Sequence, residues 1–121
     1  MILILGGMGA GKRAYARALG YTDADMSRDP GSPAPVLFEL EELVRADPTH
    51  AEALLEALCQ KELVLCREVG SGVVPLSAEE RRWRESVGRL CVLLATRAEA
   101  VVRIVAGLPM ALKGELPCAR C

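Results

Sequence analysis

Apolar residues fill Met1-Ile2-Leu3-Ile4-Leu5 and stop at Gly6-Gly7-Met8-Gly9-Ala10-Gly11, which leads into Lys12 and Arg13. So short and unbroken an apolar run predicts a strand over Ile2 to Leu5 that is buried on both faces. Ala14, Ala16 and Ala18 favour a helix from about Lys12 to Leu19, and Gly20 ends it. Residues 20–35 carry three prolines and no hydrophobic period, which predicts a loop or a poorly ordered excursion. Val36-Leu37-Phe38 then reads as a short strand running into Glu39-Leu40-Glu41-Glu42, with a helical turn to Ala46.

Asp47-Pro48 is a favourable helix start, since Asp caps free N–H groups and Pro suits the first helical position. The helix to about Cys59 puts Ala51, Leu54, Leu55 and Leu58 on one face and Glu52 and Glu56 on the other. Glu62 to Cys66 reads as the next buried strand, followed by a glycine-rich loop from Arg67 to Leu76. Ser77-Ala78-Glu79-Glu80 matches a capping box, opening a long helix with Trp83, Val87, Leu90, Cys91, Leu94 and Ala98 at helical spacing. Ala100 to Ala106 is a last apolar strand, and residues 107–121 read as an irregular tail. Strands alternating with helices predict an α/β fold with a mainly parallel sheet of about four strands, flanked by helices, and a ligand at their carboxyl ends.

The chain's 121 residues suit one core. With aromatics at only 3%, that core is built from Leu, Val, Ile and Ala. A net charge of −1 gives no electrostatic footprint for nucleic acid or a membrane surface. The opening apolar run has no basic residue before it and is too short for a signal peptide or a membrane span, so a cytoplasmic protein is expected. Five scattered cysteines, Cys59, Cys66, Cys91, Cys118 and Cys121, point to free thiols rather than a disulfide framework.

Between that strand and that helix, Gly6 to Arg13 follows G-x-x-x-x-G-K-[ST] in all but its last residue. Such a loop curls its amides around phosphate oxygens, and the lysine and the helix N-terminus add positive charge. Gly6, Gly7, Met8, Gly9, Ala10, Gly11, Lys12 and Arg13 are therefore the expected nucleotide-binding residues, with Lys12 also catalytic. Arg13 replaces the hydroxyl residue that holds magnesium, and a guanidinium cannot ligate a cation.

Phosphoryl transfer also needs a carboxylate near the metal or its waters, and Glu39 and Glu68 stand at the carboxyl ends of predicted strands. Arg81, Arg84 and Arg89 on the long helix read first as a solvated face with pairs such as Glu80 to Arg84. Cys118-Ala119-Arg120-Cys121 supplies half a zinc site, and no metal-ligating residues are assigned.

Glu68-Val69-Gly70-Ser71-Gly72-Val73-Val74-Pro75 and Arg81-Arg82-Trp83-Arg84-Glu85-Ser86-Val87-Gly88-Arg89 resemble two motifs of one family. These are E-V-G-x-G-I-V-P and R-x-F-R-D-x-x-G-R of the bifunctional adenosylcobinamide kinase/adenosylcobinamide-phosphate guanylyltransferases of cobalamin biosynthesis. The opening Gly6-Gly7, the strand Val101 to Val105, Gly107-Leu108-Pro109 and Lys113 continue the resemblance. It implies a RecA-like P-loop fold, binding of GTP or ATP with Mg2+, phosphorylation of a corrinoid side-chain hydroxyl, and a homo-oligomer whose neighbour completes the site.

The resemblance also implies guanylyl transfer through a histidine between the first helix and the strand that ends in an acid. Residues 20–35 hold no histidine, and His50, the chain's one histidine, falls after that strand. Arg67 and Cys91 stand where the family has asparagines. The expectation is a shortened, divergent member that keeps the nucleotide cradle and the kinase step but has lost guanylyl transfer. Its rival is a non-catalytic nucleotide-binding paralogue acting as a subunit or regulator, and a third reading is a small kinase for another alcohol.

Overall fold

The computed structural model describes residues 1–69 and 77–119. The elements in chain order are β1 (Ile2–Gly6), α1 (Lys12–Ala18), β2 (Met26–Ser27), β3 (Val36–Leu37), α2 (Leu40–Ala46), α3 (Leu55–Cys59), β4 (Leu63–Arg67), α4 (Ala78–Arg97), β5 (Ala100–Val105) and β6 (Leu108–Lys113). They form a mixed α/β fold around one six-stranded sheet of order β2-β3-β4-β1-β5-β6. All neighbours pair in parallel except β5 and β6, which pair antiparallel. Among the described residues no helix is long and apolar enough to cross a membrane.

β1 lies at the centre because it is apolar throughout. Leu3 sits opposite Val64 of β4 and Val101 of β5, and both neighbouring strands are largely apolar, with Arg67 at the end of β4 and Arg103 in β5 as exceptions. Successive side chains on β1 enter different layers of the core. Leu3 joins Leu37, Leu40, Val64, Trp83, Leu90 and Leu94 on the α4 side, while Ile4 joins Ala16, Leu19, Leu65, Val102 and Ile104 on the α1 side.

The long helix follows its periodicity. Trp83, Val87, Leu90 and Leu94 are buried, and the Ser77 hydroxyl accepts the Glu80 N–H at 3.0 Å as the N-cap. A helical segment starts at Pro48 as expected, but the Asp47 carboxylate bonds the His50 ring instead of capping it, and residues Pro48–Leu54 wind as a 3-10 helix before α3, with His50 at non-helical φ −110° and ψ 24°. Only Ala51 and Leu58 of the expected apolar stripe are fully buried, and Leu54 and Leu55 are half-covered.

Two segments are more ordered than their composition implies. Within residues 20–35, Asp23–Asp25 form a 3-10 turn whose Asp25 carboxylate accepts the Thr22 N–H at 2.8 Å, and β2 follows at once. Side-chain oxygens of Ser27, Asp29 and Ser32 then take backbone N–H groups two residues on, which satisfies a backbone that has few ladder bonds. Lys61, only 7% exposed, donates to the carbonyls of Ser32 and Ala34 and ties the segment to the start of β4.

The second is the expected irregular tail, which instead begins with β6. Ala106 and Gly107, both at positive φ, turn the chain back, and Leu108 pairs with Val105. Every residue of β6 is exposed, so the strand lacks the buried-face pattern that sequence reading relies on. Lys113 closes the hairpin by donating to the carbonyls of Ala95 and Thr96 at the end of α4, at 2.9 and 3.1 Å.

Leu90 is fully buried in the larger cluster, so Leu90→Ala leaves a cavity between α4 and the sheet. Urea unfolding followed by circular dichroism should show a loss of about 2–5 kcal/mol with the slope unchanged.

Candidate functional site: the glycine loop and its carboxylates

The loop after β1 is shaped by what each glycine permits. Gly6 is the last residue of β1, and a Cβ there would sit 2.9 Å from the Ile104 carbonyl oxygen of β5, closer than real contacts allow. Gly9 (φ 71°) and Gly11 (φ 98°) occupy the left-handed region, which turns the chain into α1. The loop is braced by its neighbours: Glu68 N–H donates to Gly6 O and Gly107 N–H to Ala10 O, both at 3.0 Å.

Lys12 bends back over this loop. Its ammonium donates to the carbonyls of Gly6 at 3.0 Å and Gly7 at 2.9 Å. Partial burial pulls its pKa down, opposed first by the negative charge of Glu41.

A cavity of about 600 Å³ opens beside the loop, lined by Met8, Gly9, Gly11, Lys12, Arg13 and Ala14. Arg17, Phe38, Glu39, Glu41, Glu42, Leu65 and Arg67 complete it. Gly6 and Gly7 stand behind it as acceptors for Lys12, and Ala10 is outside the lining. Arg13 is exposed and lies against the Phe38 ring, its guanidinium 5.2 Å from the ring centroid, while Arg28 approaches the same ring at 5.1 Å.

The two sequence-derived carboxylates part company. Glu39 lines the cavity, held at φ 55° at the N-terminal end of α2 and paired with Arg28 at 3.1 Å. Glu68 is outside the lining and is clasped by Arg103 of β5 at 2.7 and 3.2 Å. Residues 70–75 of the E-V-G-S-G-V-V-P loop and Leu76 after it lie outside the described residues, as do Arg120 and Cys121 of the terminal C-x-x-C.

Sequence reading missed Glu41. It is 6% exposed, and its Oε1 accepts the Arg67 N–H at 2.9 Å. Its carbonyl accepts the Trp83 indole N–H at 2.7 Å, which fastens α2 to α4. The available signal was helical phase: Leu40 and Val44 set the buried face of α2, and Glu41 falls beside them. Trp83, placed in the core by periodicity, also carries the Arg45 guanidinium 3.6 Å from its ring centroid.

The residues present do not reproduce a P-loop magnesium site. The hydroxyl position holds Arg13, and among the described residues no group of three acidic, His or Cys side chains is arranged for a metal. Positive charge in the lining comes from Lys12, Arg13, Arg17 and Arg67, beside the carboxylates of Glu39, Glu41 and Glu42.

Residues 33–112 match the sequence model of the cobinamide kinase / cobinamide phosphate guanyltransferase family. The chain belongs to this family. The P-loop NTPase fold expected of it agrees with the mostly parallel, helix-flanked sheet. The chain is also similar to the bifunctional adenosylcobalamin biosynthesis protein CobP of Pseudomonas aeruginosa, 46% identical over 67 residues. That match takes in 53% of this chain and 39% of the relative's length.

The glycine loop therefore lies outside the family-matched stretch, whereas Phe38, Glu39, Glu41 and Arg67 lie inside it. Geometry unites the two parts in one cavity. Gly6→Ala should cost roughly 1–3 kcal/mol in chemical unfolding through overpacking against Ile104. Gly7→Ala, with nothing within 4 Å of the added methyl, should leave the unfolding midpoint unchanged.

Proposed function

We propose that this chain is a cobalamin-biosynthesis protein that binds GTP or ATP at Gly6 to Arg13 and transfers the γ-phosphoryl group to a corrinoid alcohol of the adenosylcobinamide type. The observation that carries the reading is Lys12, whose ammonium is anchored on two loop carbonyls at the wall of a cavity that also holds Arg13, Arg17 and Arg67. An incoming phosphate is a stronger acceptor than a carbonyl, so Lys12 exchanges those bonds for charge-assisted ones. Glu39, at the mouth of α2, is the carboxylate placed to orient the hydroxyl once Arg28 yields it. Glu68 holds Arg103 and the loop's backbone rather than reaching the ligand.

Magnesium, if it accompanies the nucleotide, takes its ligands from phosphates and water rather than from a loop hydroxyl. Arg13 supports a second reading, that of a nucleotide-binding paralogue acting as a subunit or regulator without turnover. A guanidinium stacked on Phe38 at the cavity wall neutralises phosphate charge with no metal. Guanylyl transfer is not part of either reading, because His50 is exposed, paired with Asp47 at 2.9 Å, and absent from the cavity lining. A homo-oligomer and a cytoplasmic location accompany the proposal, with no nucleic acid or membrane as partner.

Calorimetry with GTP and ATP should show binding that Lys12→Ala weakens roughly tenfold or more. Absence of binding by the unaltered protein refutes both readings. Binding should persist in EDTA, and Arg13→Ser should make it depend more strongly on magnesium. Incubation with γ-labelled GTP and adenosylcobinamide should label the corrinoid, while α-labelled GTP should leave the protein unlabelled. Nucleotide binding without corrinoid labelling selects the regulatory reading.

A further inference from the structure

Cys66 and Cys91 come from different layers and meet in the core. Cys66, on β4, is fully buried, whereas Cys91, on α4, is partly exposed. The Cys91 S–H donates to the Cys66 sulfur at 3.7 Å, and the Cys66 S–H donates to the Arg67 carbonyl oxygen at 3.4 Å. Neither thiol lines the cavity beside the glycine loop, so the proposed phosphoryl transfer leaves the pair unused.

We propose that Cys66 and Cys91 are a dithiol oxidation site for low-molecular-weight disulfides of the glutathione class, which cross-link β4 to α4. Exposure sets the order of events. Cys91, the less buried of the two, is assigned as the attacking thiol, and the fully buried Cys66 as the resolving thiol behind it. The hydrogen bond from Cys91 and burial push the Cys66 thiol up, which keeps Cys66 protonated while Cys91 reacts first.

The Cys91 thiolate attacks one sulfur of glutathione disulfide. That S–S bond breaks, and a first glutathione thiolate leaves and takes a proton from water equivalent to the one Cys91 released. The Cys66 sulfur then attacks Cys91 in the mixed disulfide, and its proton passes to the second departing glutathione. Two protein thiols are oxidised, and one glutathione disulfide is reduced to two thiols. The sulfurs close from 3.7 Å to the ~2.05 Å of a disulfide.

The cross-link fixes the end of β4, where the Arg67 N–H holds Glu41 and the Glu68 N–H holds Gly6. Neither cysteine is itself in the cavity lining, and the cross-link does not depend on the function proposed above.

The folded full chain, incubated with oxidised glutathione at neutral pH, alkylated and digested, should give a Cys66–Cys91 cross-linked peptide as the dominant oxidised product, lost on reduction. Cys66→Ala should stop at a glutathione adduct on Cys91, and Cys91→Ser should leave Cys66 as a free thiol. The peptide map of the unaltered chain decides the matter even where Cys66→Ala fails to fold. Cys66 and Cys91 both recovered as free thiols, an adduct on Cys91 that never resolves, or cross-links only among Cys59, Cys118 and Cys121 would overturn the assignment.

Discussion

The site depends on one backbone position without a side chain. Gly6 ends the central strand where β5 crowds it so closely that no Cβ fits, and its carbonyl oxygen receives both the Glu68 N–H and the Lys12 ammonium. Three parts of the chain, far apart in sequence, converge there because nothing protrudes. The packing of β1 between β4 and β5 supplies the approach, and the apolar core on both faces keeps those strands in register. The position of Lys12 is thus a consequence of sheet packing and not only of loop flexibility.

Charge around the cavity is arranged in clasped pairs. Arg28 holds Glu39, Arg103 holds Glu68, and the Arg67 backbone holds Glu41, so the carboxylates are restrained before any ligand arrives. The exposed pairs add little stability, since water screens them. Their effect is directional. The buried Glu41 differs, because a carboxylate removed from water needs its backbone N–H partner, and that need fixes α2 against the end of β4.

Much of this was legible in the order of residues, and the failures have physical causes. β1, α1, the start of α2, β4, α4 and β5 carry strong periods or apolar runs, and all appear within a residue or two of their expected bounds. β2 and β6 were not legible. β2 is two residues held by its neighbours, and β6 is exposed along its whole length, so neither has a buried face to leave a period. At the candidate site, motif and strand end pointed to the loop and Glu39, which border one cavity, whereas Glu41 was hidden inside a run of acids that looks uniformly solvated. Glu68 stands at its expected strand end, paired with Arg103 and outside the cavity lining.

β6 brings one more consequence. By covering the outer side of β5 it makes itself the border of the sheet, with Leu108, Met110 and Leu112 half or more exposed. Such a border would ordinarily recruit further strands from other molecules. Pro109 sits within it opposite Ile104 and has no N–H to offer, and Lys113 at its far end is drawn sideways onto the last turn of α4. The sheet therefore carries its own terminator: an imperfect strand whose irregularities guard the chain against growing into a larger assembly by strand addition.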